Sequence, residues 1–239
     1  MEIQSLECVA PPMRDPLRRY AGRVADLAGE NLVSVVAYGA VASPTFDIAR
    51  QLASSVIVLK SADLAMLRQL GAEGTSFGKW RISAPVVMTP QLIAASLDSF
   101  PLELIEIHQR HCVLLGTDPF VGLEFKEEHV RLECERELKT IAIGMTQGVV
   151  SSAGGRHALF ELGLKAMEEL VRTLRGLVWL KGQQQAQPAA QVVTEMETIL
   201  GRPLPAVRRG LSWSKNCTWE EFQALYDEVE ALGHSIDAW

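Results

Sequence analysis

Two short runs of apolar, largely β-branched residues place the strongest limit on how this chain can fold. The runs are Leu32–Tyr38 and Ser55–Leu59. A strand that is exposed on one face alternates apolar and polar residues, whereas continuous apolar runs are typical of strands buried on both faces. Such strands need helices to cover them. The first half of the chain is therefore predicted to alternate strands and helices.

Helix and turn signals fit this interpretation. Residues 14–28 carry apolar side chains three and four residues apart, which predicts a helix ended by Gly29. A helix beginning at Ser61 and a short one capped by Thr89 are also predicted. The weaker expectations are a helix at 44–53 opened by Pro44, a loop at 71–79, an edge strand at Trp80–Met88, a strand or helix at Leu102–Ile107, and a strand at Val113–Leu115.

The character of the sequence changes after Phe125, where no strand pattern is convincing. Long amphipathic patterns predict helices at 126–150, 157–181 and 189–200, and a last helix that follows a capping box at Thr218 and Glu221. Residues 151–155 are predicted to be a hinge. The sequence thus predicts an α+β protein, with a mixed sheet and flanking helices in residues 1–120 and an all-α helical bundle in residues 121–239.

Composition excludes several classes of protein. The chain has 239 residues, of which 48% are hydrophobic and 22% charged, as in an ordinary globular protein. Its net charge of −6 argues against a general nucleic-acid binder, because phosphate contacts dominate that affinity. No apolar stretch is long enough for a membrane span, and the N-terminus has no signal-peptide pattern. We expect a cytoplasmic protein whose four cysteines, Cys8, Cys112, Cys134 and Cys217, are reduced thiols.

One strand–turn–helix–strand unit carries more specific information. It reads Val-Val-Ala-Tyr-Gly-Ala-Val-Ala-Ser at residues 35–43, followed by the strand at 54–59. This unit resembles the start of the nucleotidyltransferase superfamily fold, which DNA polymerase beta-like and minimal nucleotidyltransferases share. The segment Leu104–Ile107 with His111–Gly116 is similar to a later strand of that fold, and the helical second half is similar to the helical domain these enzymes often carry.

The resemblance implies a metal site that this sequence does not supply. In the superfamily, the first strand ends in Gly-Ser, and the next strand opens with Asp-x-Asp, which holds two magnesium ions. The equivalent window here is 52–55, and its two registers give Leu52 with Ser54 or Ala53 with Ser55. Magnesium needs carboxylate oxygens, so neither register can anchor it. We therefore predict a degenerate member that has lost two-metal nucleotidyl transfer and uses no cofactor.

The retained arrangement of strand, turn and helix predicts a ligand site in a cleft between the two domains. The ligand would be a small anion or a nucleotide, held partly by backbone N–H groups of the turn from Gly39 to Ser43, at the N-terminus of the predicted helix. The predicted ligand-binding residues are Gly39, Ala40, Ser43, Ser54, Ser55, Glu103 and Glu106. The alternative is an active nucleotidyltransferase that binds a magnesium–nucleotide complex through a non-standard triad of Asp47 with Glu103 or Glu106.

The remaining patterns favour ordinary structural roles. Residues 71–79 fail as a phosphate-binding loop because Glu73 and Trp80 replace required residues. A zinc site built from His108, His111 and Cys112 is not predicted, because no second tight pair of ligands exists. The apolar stripe along residues 160–178 predicts a bundle core, with a homodimer surface as the alternative. Neither a membrane nor a nucleic acid is an expected partner.

Overall fold

A computed structural model describes residues 4, 6–43, 46–49, 51–152, 155–214 and 216–236. These residues form four strands and ten α-helices. The chain divides into two compact units of nearly equal size. The first, the α/β unit, is Met1–Leu97 with Leu104–Glu124, and the second, the helical unit, is Asp98–Glu103 with Phe125–Trp239.

The α/β unit is built on one mixed four-stranded sheet. Its strands are β1 (Leu32–Tyr38), β2 (Ser54–Leu59), β3 (Val86–Met88) and β4 (His111–Gly116), in the order β3-β2-β1-β4. β1 pairs antiparallel with β2 and with β4, and β2 pairs parallel with β3. The two strands predicted from continuous apolar runs are confirmed as the central pair. The α+β class with a mixed sheet is confirmed as well.

Helix α1 (Arg14–Ala28) covers one face of this sheet, as its pattern predicts. Its side chains Leu17, Tyr20 and Val24 are fully buried in the same core as the β-strand residues Val35 and Ile57. Burying such side chains supplies most of the favourable free energy of folding. The packing of α1 therefore fixes which sheet face is internal.

Three predictions for the α/β unit are wrong in part. Residues 71–79 are not a loop, because α2 (Leu64–Ala72) is followed by α3 (Gly74–Lys79), which the buried Phe77 anchors against Tyr20 at 4.8 Å between ring centroids. Of the predicted strand Trp80–Met88, only the last three residues form a strand, and Ile82 makes an isolated parallel bridge with Ala53. The described part of 44–53 is not helical, while Pro44, Thr45 and Arg50 lie outside the described residues.

Helices α4 (Pro90–Ala95) and α5 (Pro101–Gln109) complete this part of the chain. Thr89 Oγ1 accepts a hydrogen bond from the Leu92 N–H and caps α4 as predicted. The likeness of Leu104–Ile107 to a strand is wrong, because these residues lie in α5. Apolar residues follow one another too closely there for periodicity to separate a buried helix from a buried strand.

The helical unit contains α6 (Glu127–Ser151), α7 (Arg156–Leu180), α8 (Ala189–Leu200), α9 (Pro205–Gly210) and α10 (Trp219–Ile236). The four long helices match their predicted positions, and α9 was not predicted. The capping box is confirmed: the Glu221 N–H donates to Thr218 Oγ1, and the Thr218 N–H donates to Glu221 Oε2. The predicted hinge lies partly in α6, and its residues 153 and 154 lie outside the described residues.

Most of the apolar stripe on α7 is internal to the helical unit. Phe160, Met167 and Leu174 are buried there. Small residues let the helices approach one another: a Cβ on Gly176 would meet the Leu102 side chain and the Cys134 sulfur. Because its main residues are buried within one chain, this stripe forms the bundle core.

The prediction of four reduced thiols is wrong for two of them. Cys8 and Cys112 form a disulfide with their Cα atoms 5.8 Å apart, whereas Cys134 and Cys217 are buried free thiols. The two bonded residues are 104 positions apart, so nothing local in the sequence signals the pairing. Within the described residues, no helix is long and apolar enough to cross a membrane.

Candidate functional site

The candidate site lies at the end of the two central strands where β1 ends and β2 begins. Tyr38, the last residue of β1, pairs with Ser54 on one side and with His111 on the other. The preceding residue, Ala37, pairs with Ser55 and Cys112 in the same way. Directly opposed residues on neighbouring strands point to the same face. Ser54 and His111 therefore flank Tyr38, next to the turn that begins at Gly39.

The turn itself is a short 3-10 segment, Gly39–Ala42. Gly39 has a φ of +70°, a left-handed conformation that favours glycine, and its N–H donates to the Arg110 carbonyl at 2.9 Å. The Ser43 N–H donates to the Ala40 carbonyl at 3.0 Å, and Ser43 is buried. Two of the backbone donors predicted to hold an anion are thus engaged within the chain, while Ala40 is exposed.

The start of β2 has an unambiguous orientation. Ala53 and Ser55 are buried on the α1 side of the sheet, where Ser55 Oγ and Tyr20 Oη share a 2.8 Å hydrogen bond. Because side chains alternate along an extended segment, Leu52 and Ser54 point to the opposite face. Leu52 is 45% exposed and Ser54 is half-buried. Val56 and Val58 are buried on that face, so only its start, at Leu52 and Ser54, is accessible, and an Asp-x-Asp pair would lie there.

Tyr20 is a residue that the sequence analysis missed as a support of this site. Its burial raises the pKa of the phenol well above the usual range, so the hydroxyl stays neutral. A neutral phenol and a serine hydroxyl satisfy one another in the core. A tyrosine on the buried face of α1 could have signalled this need for a polar partner, because buried tyrosine hydroxyls usually hydrogen-bond.

The three candidate acids have different surroundings. Glu106 on α5 lies beside the turn, since a Cβ on Gly39 would be 3.6 Å from Glu106 Oε1. Glu103 belongs to the helical unit, where its Oε1 accepts a 2.7 Å ion-pair hydrogen bond from Arg172. Asp47 Oδ1 accepts from the Ala49 N–H at 2.9 Å. Of these acids, Glu106 is the one for which the structure records a position next to Gly39.

This donor set does not fit a pair of magnesium ions. Hard divalent cations favour several carboxylate oxygens, and the accessible start of β2 offers a leucine and a neutral hydroxyl instead. In the described parts of the chain, no group of three or more His, Cys, Asp or Glu residues could hold a metal ion. The zinc pattern is also absent: Cys112 is disulfide-bonded, and the His111 ring bonds the Ile107 carbonyl and Asp118 Oδ2, each at 2.9 Å.

Two cavities lie away from this turn, each within one unit. A cavity of about 460 Å³ in the helical unit is lined by residues that include Arg156, Cys217 and Trp219. A smaller one of about 260 Å³ in the α/β unit lies among apolar residues of α2, α3 and the segment before β3. Neither cavity includes a residue predicted to bind the ligand.

Comparison with known proteins shows the fold of this chain. No protein-family model matches this sequence, and no curated protein matches it by sequence. Among solved structures, the chain is similar to spectinomycin adenyltransferase AAD(9) from Enterococcus faecialis, solved with ATP and spectinomycin. The TM-score is 0.59 at 8% identity, over 95% of this chain and 99% of that one. This chain therefore has a nucleotidyltransferase-like fold that includes the helical region.

Proposed function

We propose that this protein has the nucleotidyltransferase fold without its two-metal reaction, and that it binds a small ligand beside the turn at Gly39. The observation that carries the proposal is the accessible start of β2, where Leu52 and Ser54 lie. Nucleotidyl transfer places negative charge on the attacking and leaving oxygens, and two metal ions about 3.5–4 Å apart normally stabilise both. A leucine and a neutral hydroxyl cannot hold such a pair.

The proposed ligand site comprises Gly39, Ala40, Ser54 and Glu106. Ala40 is an exposed residue, and Ser54 offers a hydroxyl that can donate or accept a hydrogen bond. The Glu106 carboxylate accepts hydrogen bonds from hydroxyl or amine groups and repels phosphate unless a cation intervenes. A nucleoside or nucleotide that binds through its sugar hydroxyls, without magnesium, suits this combination best.

The other predicted residues support this site or lie outside it. Ser43 is buried and closes the turn, and the Ser55 hydroxyl is committed to Tyr20. Glu103 is committed to Arg172 in the helical unit. We therefore assign ligand contact to Gly39, Ala40, Ser54 and Glu106, and a structural role to Ser43, Ser55 and Glu103.

Isothermal titration of the full chain tests the binding proposal. We expect adenosine and AMP to bind without magnesium, and ATP to bind no more tightly when magnesium is added. Ser54→Ala and Glu106→Gln are expected to weaken binding, whereas Thr146→Ala on the exposed surface of α6 leaves it unchanged. ATP binding that depends strongly on magnesium, or no nucleotide binding at all, contradicts the proposal.

An activity assay tests the loss of catalysis. AAD(9), described as a spectinomycin adenyltransferase, serves as the positive control. With ATP, magnesium and spectinomycin, we expect this chain to yield no adenylylated product. Product formation that Asp47→Asn or Glu106→Gln abolishes would support an active enzyme with a non-standard acidic triad instead.

A further inference from the structure

The disulfide links Cys8, which precedes α1, to β4 at the end of the sheet that carries the proposed site. Cys8 precedes α1 and is exposed, whereas Cys112 on β4 is only 3% exposed. Cys112 pairs across the sheet with Ala37, two residues before Gly39. A change in this bond therefore acts close to the turn at Gly39, and one of its two ends is accessible from solvent.

The segment around Cys8 also touches the turn directly. We define the N-terminal segment as residues 6–10. The Ala10 N–H donates to the carbonyl of Val41 at 2.9 Å, and Val41 lies inside the turn Gly39–Ala42. Ala10 and Val41 are both buried. The backbone of the N-terminal segment and the backbone of the turn thus hold one another in place.

Noncovalent contacts also hold the N-terminal segment. Upstream, the Gln4 N–H donates to the Leu114 carbonyl at 3.0 Å, and Leu6 and Val9 pack into the core. Local segments open without unfolding of the whole domain, and each restraint lowers the frequency of opening. The disulfide adds a restraint that does not depend on these contacts. We therefore expect its loss to increase local opening first in the N-terminal segment and the turn.

We infer that the Cys8–Cys112 disulfide is a redox-sensitive clamp on the turn at Gly39. The thiolate of a dithiol reductant attacks Cys8 Sγ, and a mixed disulfide forms as the bond to Cys112 breaks. Cys112 Sγ takes the electron pair and a proton. The second thiol of the reductant then displaces Cys8, which leaves two protein thiols and an oxidised reductant.

The two redox states differ in the order of the turn. In the disulfide state, the N-terminal segment and Gly39–Ala42 are held together. In the dithiol state, Ala10 separates from Val41 more often, and the backbone that the proposed ligand would contact is less well ordered. The effect on ligand affinity rests on the proposed function, whereas the effect on local order does not.

Hydrogen exchange of the full chain, with and without dithiothreitol, tests the clamp. We expect reduction to speed exchange of the Ala10 amide and of amides in 39–42 roughly tenfold. The Cys8→Ser variant exchanges quickly in both conditions, and Cys217→Ser responds like the natural sequence. After reduction, alkylation is expected to modify Cys8 before Cys112, because Cys112 is buried.

Several results would overturn the inference. These are full alkylation of Cys8 before any reduction, a disulfide that resists dithiothreitol in the folded protein, and unchanged exchange at Ala10 and 39–42 after reduction. Nucleotide titration in both redox states separates the two proposals. If hydrogen exchange changes on reduction but no nucleotide binds in either redox state, the proposed function is wrong and the clamp is not. If nucleotide binds equally in both states and hydrogen exchange is unchanged, the clamp is wrong and the proposed function is not.

Discussion

Glu133 shows how burial changes the chemistry of one side chain. It is 5% exposed on α6, and its Oε2 accepts a 2.9 Å hydrogen bond from the Leu102 N–H. Burial raises the pKa of this carboxyl to about 7, and the negative charges of Glu103 and Glu137 add to the increase. The folded protein thus binds this proton more tightly than the unfolded chain. This contribution to stability is present in full at acidic pH and is lost as pH rises through about 7.

Glu133→Gln removes this titration. We expect the variant to exceed the natural sequence in free energy of unfolding by about 2–3 kcal/mol near pH 8, and to lose much of the difference near pH 5. Urea unfolding at both pH values measures the effect. Glu128→Gln, at a side chain that is 72% exposed, serves as the control and is expected to change little. An identical pH dependence in Glu133→Gln and the natural sequence would refute the account.

The positions Leu52 and Ser54 allow a direct test of the missing metal site. Replacing both with aspartate places two carboxylates at the accessible start of β2, next to the turn that Glu106 flanks. We expect the double variant to bind Mn²⁺, detected by electron paramagnetic resonance, and the natural sequence to show no comparable site. The asparagine pair at the same positions controls for size without charge. Equal Mn²⁺ binding by the natural sequence would contradict our interpretation of β2.

Strand β4 ends at Gly116, a position that only glycine can occupy without strain. Its φ is +88°, and a Cβ there would clash with the Val33 carbonyl and lie 2.9 Å from Ser34 Cα on β1. Gly116→Ala is expected to lower the free energy of unfolding by about 4 kcal/mol, because backbone strain and a clash add together. Gly122 is the matched control.

Gly122 also has a positive φ, +75°, but nothing lies within 4 Å of an added Cβ. Gly122→Ala is expected to cost only about 1 kcal/mol, because strain acts there alone. Chemical denaturation of the two variants measures the difference. Equal losses would show that the approach of β4 to β1 is not tight at Gly116.

The sequence predicts elements well where one pattern dominates. β1 and β2 are marked by continuous apolar runs, and α1 and α7 by a clear apolar face. α5 could not be assigned, because its residues 104, 105 and 107 are all buried and remove the contrast between faces. α9 was missed because it is short, and the N–H groups of Ala206 and Val207 at its start are satisfied by Glu228, a distant residue of α10.

For the molecule as a whole, the strand–helix alternation and the helical second half were enough to predict the class of fold. The site could be predicted only partly. The absence of acidic side chains is visible in residues 52–55, but which register faces outward depends on the packing of α1. The disulfide could not be predicted, because it joins residues whose proximity exists only after the sheet has formed.

That disulfide should contribute substantially to global stability. Cross-linking residues 104 positions apart restricts the unfolded chain. We expect the Cys8→Ser/Cys112→Ser variant to lose about 4 kcal/mol in the free energy of unfolding. Guanidinium unfolding measures the loss. Adding dithiothreitol should destabilise the natural sequence by a similar amount and leave the double variant unaffected. A variant as stable as the oxidised protein would show that the unfolded state is not restricted in this way.

Helix α5 crosses from one compact unit to the other, because residues 98–103 group with the helical unit and residue 104 onward with the α/β unit. No single cut in the polypeptide therefore yields two intact halves. A fragment that starts at Phe125 lacks Leu102, which fills the space over Gly176, and Glu103, the partner of Arg172. Attempts to express the halves separately, or to permute the termini circularly, must keep this stretch of α5 with the helices that it serves.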